Sequence, residues 1–290
     1  MKRALFLYNK NAGRGKAEKQ AKEIAQILTD GGYDTTFEAL DFKRDQIAEC
    51  GEEVDLVVVA GGDGSVNYVV NLIKQSGSKA AIGIIPAGTA NDFAYALGMQ
   101  RNPLKAARQI ASGVDDNVDC GYVNGLYFVN IFSFGLFTTT SQRTPDSQKR
   151  TIGKFAYIIE GVKELERIHN MELRINADNE SFTINALMTL VLNGRTAGGF
   201  RLARNASVTD GCLDCLILEN RTFMGSLIAA FRYLLGGNPK AIRHIKARNI
   251  QILSSENEPT DADGQRGVDF PLNIECLARE LKVIIPSKTL

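Results

Sequence analysis

The sequence predicts two domains: a doubly wound α/β domain over residues 1–116 and an antiparallel, sandwich-like β domain over residues 117–290. Three observations carry this reading. Short apolar runs alternate with helical patterns up to about residue 115, which is the signature of a parallel sheet covered on both faces. Beyond that point strand-like runs follow one another through turns, with only two good helical patterns between them. The length of 290 residues suffices for two cores of ordinary size.

Taken in order, Leu5 to Tyr8 reads as the first buried strand. Ala17, Ala21, Ile24, Ala25 and Leu28 mark one face of a helix that stops at Gly31-Gly32. A strand near Thr35 to Ala39, a short helix near Arg44 to Cys50 and the strand Leu56 to Ala60 come next. Then follow a helix from Ser65 to Lys74, the strand Ala80 to Ile85, and helices near Asn91 to Leu97 and Pro103 to Ser112. The second domain offers strands at Asn117 to Val123, Tyr127 to Phe134, Glu172 to Asn176, Phe182 to Leu192, Cys212 to Leu218, Ile245 to Leu253, Leu272 to Cys276 and Leu281 to Ile285. Its two helices are Gly153 to Arg167 and Thr222 to Leu235. The cleft between two such domains is the default place for a ligand.

Composition narrows the class. Apolar residues at 44% and charged residues at 23% describe a folded globular protein, and 34 basic against 33 acidic residues leave no global field to attract nucleic acid. The apolar runs at residues 186–192 and 223–235 fall short of the roughly 20 residues a membrane crossing needs. The N-terminus passes from Tyr8 into polar Asn9-Lys10-Asn11 too soon for a signal peptide, so a cytoplasmic location is expected. Five cysteines spread along the chain suggest buried thiols, and Cys212-Leu-Asp-Cys215 lacks the partners that would make it a zinc site.

Two turns carry the chemistry. Gly61-Gly62-Asp63-Gly64 lies between a buried strand and a helix, where glycine lets main-chain N–H groups approach an anion and a helix start, with Ser65 placed to cap it, adds partial positive charge. A glycine turn chosen for geometry alone is the competing reading. Asp63 would repel a bare phosphate, so its presence makes sense if a divalent cation stands between them. The next strand exit repeats the pattern: Gly88-Thr89 turns the chain and Asn91-Asp92 opens a helix, either as a second donor cluster or as a plain cap.

The run GGDGSVNYVVNLI, followed by PAGTANDFAYALG, resembles the catalytic domain of the diacylglycerol kinase family, which includes bacterial diacylglycerol kinases and the sphingosine and ceramide kinases. The resemblance extends over essentially the whole chain. Tyr8 to Gly13 resembles the family's first loop; Ala197-Gly198-Gly199-Phe200 and Ala206 to Gly211 resemble later signatures; Asp261-Ala262-Asp263-Gly264-Gln265 resembles an Asn-Val-Asp-Gly-Glu motif. It implies a soluble kinase moving the γ-phosphoryl of ATP to a lipid alcohol such as diacylglycerol, with Mg2+. Asn9, Lys10, Asn11, Ala12, Gly13, Gly61, Gly62, Asp63, Gly64, Ser65, Asn67, Gly88 and Thr89 would hold the nucleotide. Asp63, Asp92 and Asp263 would arrange Mg2+ through water, with Asp263 as proton acceptor and Asp63 as competitor. Asp210, with the carbonyls of Ser207 and Cys212, would hold a structural Mg2+.

The chain departs from the family pattern at Lys10, where proline is usual, and at Ala12, where serine is usual. Leu40 stands in place of a threonine, Tyr68 in place of a glutamate, and Gln265 in place of a glutamate itself proposed as base. Glutamine keeps the shape and loses the basicity. Two other readings therefore stand beside the lipid kinase: a catalytically weakened nucleotide-binding module, and a kinase of a soluble acceptor such as NAD, whose kinases share a GGDG loop. The basic stretches at Lys240 to Arg248 and Arg143 to Lys154 suit either a solvated strand or loop face or peripheral contact with the inner membrane surface, and a homodimer is left open.

Overall fold

The computed structural model describes residues 1–11, 17–50, 53–136, 171–220, 222–256 and 258–287. The helix expected from Gly153 to Arg167 lies outside the described residues. The chain divides into two compact units, Met1–Val118 with Arg279–Leu290, and Asp119–Ala278.

The first unit is built on a parallel sheet. Strands β1 (Lys2–Tyr8), β2 (Tyr33–Ala39), β3 (Leu56–Gly61) and β4 (Ala81–Pro86) lie in the order β4-β3-β1-β2. β3 and β4 are buried at every residue, as their continuous apolar runs require of central parallel strands. Helix α1 (Ala17–Asp30) packs against α5 (Pro103–Ala111), and Gly31 is held so close to Ala111 that a Cβ there would stand 2.6 Å from the Ala111 Cβ. Helix α2 (Gln46–Glu49) is a single turn capped by Asp45, whose carboxylate accepts from the Ile47 and Ala48 amides.

Helix α3 (Asp63–Ser76) begins two residues earlier than its pattern suggests, with Gly62 as the N-cap residue, so Ser65 sits inside the first turns and is not the cap. Helix α4 (Asp92–Ala96) follows β4. Val283, in the final strand, pairs in parallel with Ile82, so the last strand completes the first unit's sheet.

The second unit is antiparallel. β5 (Val114–Val123) runs into it and pairs with β6 (Leu126–Phe128). β7 (Ile131–Gly135), β8 (Met171–Ala177) and β9 (Glu180–Leu192) follow, with β9 paired to both of the others. A two-stranded ribbon, β10 (Thr196–Ala197) and β11 (Phe200–Arg201), precedes β12 (Leu213–Glu219), which pairs with β9 and with β13 (Ile242–Ala247). β14 (Asn249–Ser254) pairs with β8 and with the start of β17 (Leu272–Ile285). β15 (Thr260–Ala262) and β16 (Gln265–Arg266) form a hairpin against β7. The inward alternation along β7, β8, β12 and β14 assembles one apolar core containing Phe128, Phe132, Phe134, Leu173, Ile175, Cys215, Ile217, Ile250 and Ile252.

Helix α6 (Phe223–Leu234) lies over the opposite face of β12 and β13, where Ala229, Ala230 and Tyr233 meet Leu216, Leu218 and Ile242. Among the described residues, no helix is long and apolar enough to cross a membrane.

Three departures from the pattern have physical causes. The strand expected from Tyr127 to Phe134 is broken at Val129 and Asn130, whose amides are drawn away from a ladder by Asp263. The strand expected from Ile245 to Leu253 is two strands with different neighbours, separated where the Asp178 carboxylate accepts from the Arg248 and Asn249 amides. Leu272 to Cys276 and Leu281 to Ile285 are the two ends of the single strand β17.

Candidate functional site

β1 and β3 are parallel neighbours with Tyr8 opposite Ala60, so the loops that leave them start side by side. Two hydrogen bonds fasten the loops together and a third folds the first loop on itself. The Asn9 amide donates to Ala60 O (2.9 Å), Asn9 Nδ2 donates to Ser65 Oγ (3.0 Å), and Asn9 Oδ1 accepts from the Asn11 amide (2.9 Å). Gly61 makes the approach feasible, because a Cβ there would stand 2.4 Å from the Ser65 Cβ. Lys10 and Asn11 are exposed beside this junction, while Ala12 and Gly13 lie outside the described residues.

The turn after β4 is pressed against the same place. The Ala87 amide donates to Gly61 O (2.9 Å), and Gly88 lies so close to Gly62 that a Cβ on Gly88 would sit 2.3 Å from the Gly62 Cα. Neither glycine has a positive φ, so here glycine serves contact between two main chains and not unusual torsion. Asn91 closes the turn: its Oδ1 accepts from the Gly88 amide (2.8 Å) and its Nδ2 donates to Gly88 O (2.9 Å). The Asn91 amide in turn donates to Asp63 Oδ2 (2.9 Å), so Asp63 binds the first glycine loop to the second.

Asp63 and Asp92 thus stand in the first turns of two helices at one edge of the sheet, Asp63 half-buried and Asp92 buried. Thr89 is exposed at the rim. Asn67 is buried in α3, where its backbone carbonyl accepts from Asn71 Nδ2 (2.9 Å).

Asp63 and Asp92 are hard oxygen donors of the kind Mg2+ prefers. Among the described residues no group of three or more acidic, histidine or cysteine side chains is arranged to hold a metal. Mg2+ characteristically takes one or two carboxylates and completes its shell with phosphates and water, so Asp63 and Asp92 are a donor set of the right kind.

Asp263 is placed in a different way from the one its sequence context suggests. It and Gly264 form the two-residue turn of the β15–β16 hairpin with φ of 52° and 86°, the geometry of a type I′ turn. Its carboxylate, buried, accepts from three consecutive amides: Val129 (2.7 Å), Asn130 (3.0 Å) and Ile131 (2.8 Å). Its own amide donates back to Ile131 O (2.9 Å). Asn193 grips the same segment from elsewhere, donating through Nδ2 to Val129 O and Asp119 O (2.9 Å each). Gln265 is exposed on β16. In this arrangement Asp263 anchors main chain with both oxygens, a role that sequence reasoning missed. The Asp-Gly turn was legible from the sequence, but the three amides are more than 130 positions away in the chain.

Residues 3–123 match the diacylglycerol kinase catalytic domain, and residues 130–285 match the YegS C-terminal NAD kinase beta sandwich-like domain. A diacylglycerol kinase of Bacillus subtilis (strain 168) is 33% identical over 99% of this chain and 98% of its own length. The chain belongs to the diacylglycerol kinase family. Another relative named diacylglycerol kinase, from Staphylococcus carnosus (strain TM300), is 32% identical over 98% of this chain and 95% of its own. The solved structure of a diacylglycerol kinase-like protein of Bacillus anthracis str. Sterne superposes with a TM-score of 0.86 at 26% identity, covering 100% of this chain and 97% of that one.

The departures from the family pattern can now be placed. Leu40 is buried, its amide bonded to Tyr8 O (2.8 Å). Tyr68 stacks on Phe42 with centroids 5.0 Å apart and donates its hydroxyl to Arg44 O (3.0 Å), pinning the segment after β2 to α3. Burial and the nearby carboxylates of Asp41 and Asp45 push its phenol above the usual range.

The structural Mg2+ expected at Asp210 meets a carboxylate that protein donors already take up. Asp210 Oδ2 accepts from the Ser207 amide (3.0 Å) and from Lys246 Nζ (2.8 Å), and Oδ1 accepts from the Cys212 amide (3.2 Å). Two main-chain amides and the ammonium of Lys246 thus share the Asp210 carboxylate. The Lys246 ammonium is held above its ordinary value by that hydrogen bond.

Proposed function

We propose that this family member is an ATP- and Mg2+-dependent kinase of a lipid hydroxyl, with diacylglycerol as the acceptor and phosphatidic acid as the product. The observation that carries the reading is the direct backbone contact of Gly62 with Gly88, locked by Asp63 to the Asn91 amide. It gathers main-chain donors and two carboxylates at one sheet edge, which is the equipment phosphoryl transfer needs. Asn9, Lys10 and Asn11, with Gly61 to Ser65 and Gly88-Thr89, take the nucleotide's phosphates; Ala12 and Gly13 extend that loop in the sequence. Bound Mg2+ would neutralise charge on the transferring phosphoryl, with Asp63 and Asp92 as its oxygen donors through water.

In the transfer, the acceptor oxygen forms a bond to the γ-phosphorus, the bond to the bridging oxygen breaks, ADP leaves, and the hydroxyl proton passes to a carboxylate. Asp263 spends its oxygens on three amides, which supports Asp63 as that carboxylate and gives Asp263 a positioning role. The exposed carboxamide of Gln265 has no basicity to offer.

Transfer from labelled Mg-ATP to a panel of lipid alcohols, with the product identified by mass, tests the reading. Label in phosphatidic acid supports it. Label in NAD but in no lipid refutes it in favour of a soluble acceptor. Nucleotide binding without transfer to any acceptor refutes it in favour of a regulatory module.

A further inference from the structure

Outside the glycine loops, the described residue range holds one surface whose chemistry is unlike the rest. The exposed large apolar side chains concentrate on α6 and its end: Ile228 is 53% exposed, Phe231 59%, Leu234 37% and Leu235 73%. Positions 228, 231 and 235 follow helical spacing, so they form one stripe, and Arg232 lies along it. Among its described side chains, the helix buries Ser226, Ala229 and Tyr233, on its other face. Four such side chains turned to water on twelve residues of helix and its cap form a contiguous apolar patch, which on a globular protein marks a contact surface.

Charge says what the contact is. From Asn220 to Ser255 the sequence contains no aspartate or glutamate, yet it carries Arg221, Arg232, Lys240, Arg243, Lys246 and Arg248. In a chain whose formal charge is only +1, that is a strong local excess. Arg243, Lys246 and Arg248 face Glu180, Asp210 and Glu275. Arg232 lies on the helix itself and Lys240 follows shortly after its end, and both are exposed. Arg204 bonds to the carbonyls of Tyr233 (3.1 Å) and Gly237 (3.2 Å), which fixes the C-terminal end of the helix next to this basic rim. Glu219, at the opposite end near Ser226, is the nearest acid in sequence.

An apolar stripe with cations along it, in a stretch of sequence without acids, suits the interface of an anionic bilayer, where the side chains reach the acyl boundary and the arginine and lysine meet headgroups. We infer that α6 is a membrane-docking helix that lies in the plane of an anionic lipid surface, with Ile228, Phe231, Leu234 and Leu235 inserted and Arg232 and Lys240 at headgroup level. The inference rests on the lipid-kinase reading for its purpose, since a water-insoluble acceptor must be met at an interface. Its physical basis, the patch and its charge, stands apart from that reading.

The test is co-sedimentation of the full chain with vesicles of phosphatidylglycerol and phosphatidylcholine in equal parts, against phosphatidylcholine alone. The wild type should bind the anionic vesicles and release them as salt rises. Phe231→Ser with Leu235→Ser should lower the partition coefficient by about tenfold or more, and Arg232→Gln with Lys240→Gln by several-fold at low salt. Mg-ATP binding by each variant serves as the check that the chain is folded. Undiminished vesicle binding by the folded apolar variant would overturn the inference, whatever the kinase assays give. So would a wild-type dimer, without affinity for vesicles, that the same substitutions dissociate. Vesicle binding by a protein that phosphorylates no lipid would leave the docking helix standing and sink the lipid-kinase reading alone.

Discussion

Replacing Asp263 separates structure from chemistry more sharply than any other change. Its carboxylate satisfies the buried amides of Val129 and Asn130 and the partly buried amide of Ile131, and Asp263→Ala leaves all three without this acceptor. Each unsatisfied buried donor costs about 1–3 kcal/mol, and the three share one acceptor, so they do not add in full. A loss of about 3–5 kcal/mol is expected, a large part of the roughly 5–15 kcal/mol that holds a domain folded. Asp263→Asn keeps one oxygen but turns an amide N–H toward a main-chain N–H, and should lose about half as much. With no tryptophan in the chain, unfolding in urea is followed by circular dichroism and tyrosine fluorescence. Both midpoints should fall, alanine further than asparagine, and transfer activity should track the folded fraction. If Asp263→Asn unfolds at the wild-type midpoint while turnover drops a hundredfold or more, the anchoring argument is wrong and Asp263 is the proton acceptor.

Three further outcomes are expected. Gly88→Ala places a Cβ 2.3 Å from the Gly62 Cα, so the two loops must part; Mg-ATP affinity measured by calorimetry should fall at least about tenfold, and wild-type affinity would refute the cradle. The Lys246–Asp210 pair is largely exposed and contributes about 0–1 kcal/mol, present below the ordinary lysine pKa and lost as pH rises through the raised one. Without nucleotide, the melting temperature should therefore ignore both Mg2+ and chelator at neutral pH, and Mg2+-dependent melting would restore the metal site. Burial pushes the thiols of Cys215 and Cys276 up to about 12, so alkylation at mildly alkaline pH should spare both until the protein is unfolded. Labelling either in the native protein would count against the core as described.

The sequence exposes most of what is local. The strand-helix alternation, the two glycine turns and α6 follow from periodicity over a few residues, and each lies within a few residues of its expected bounds. What it hides depends on partners far along the chain. Nothing near Tyr127 reveals that Asp263 will break the strand at Val129, and nothing near Ile245 reveals that Asp178 will split it at Arg248. Asn91 reads as a helix cap, but its side chain serves Gly88 and its amide serves Asp63, because a left-handed φ of 55° turns it away from capping geometry. The Asp210–Lys246 pair is hidden in the same way, since its two residues are remote in sequence and adjacent in space.

β17 leaves the second unit at Ala278 and continues into the first, where Leu281, Val283 and Ile284 are buried. A ribosome that has finished Met1–Val118 has therefore not yet made an edge of that unit's sheet, which arrives only after Asp119–Ala278 has been synthesised. Until then the buried strand β4 has an open flank, a natural substrate for chaperones and proteases. A nonsense mutation near residue 278, although distant in sequence from every glycine loop, would strike the unit that carries them.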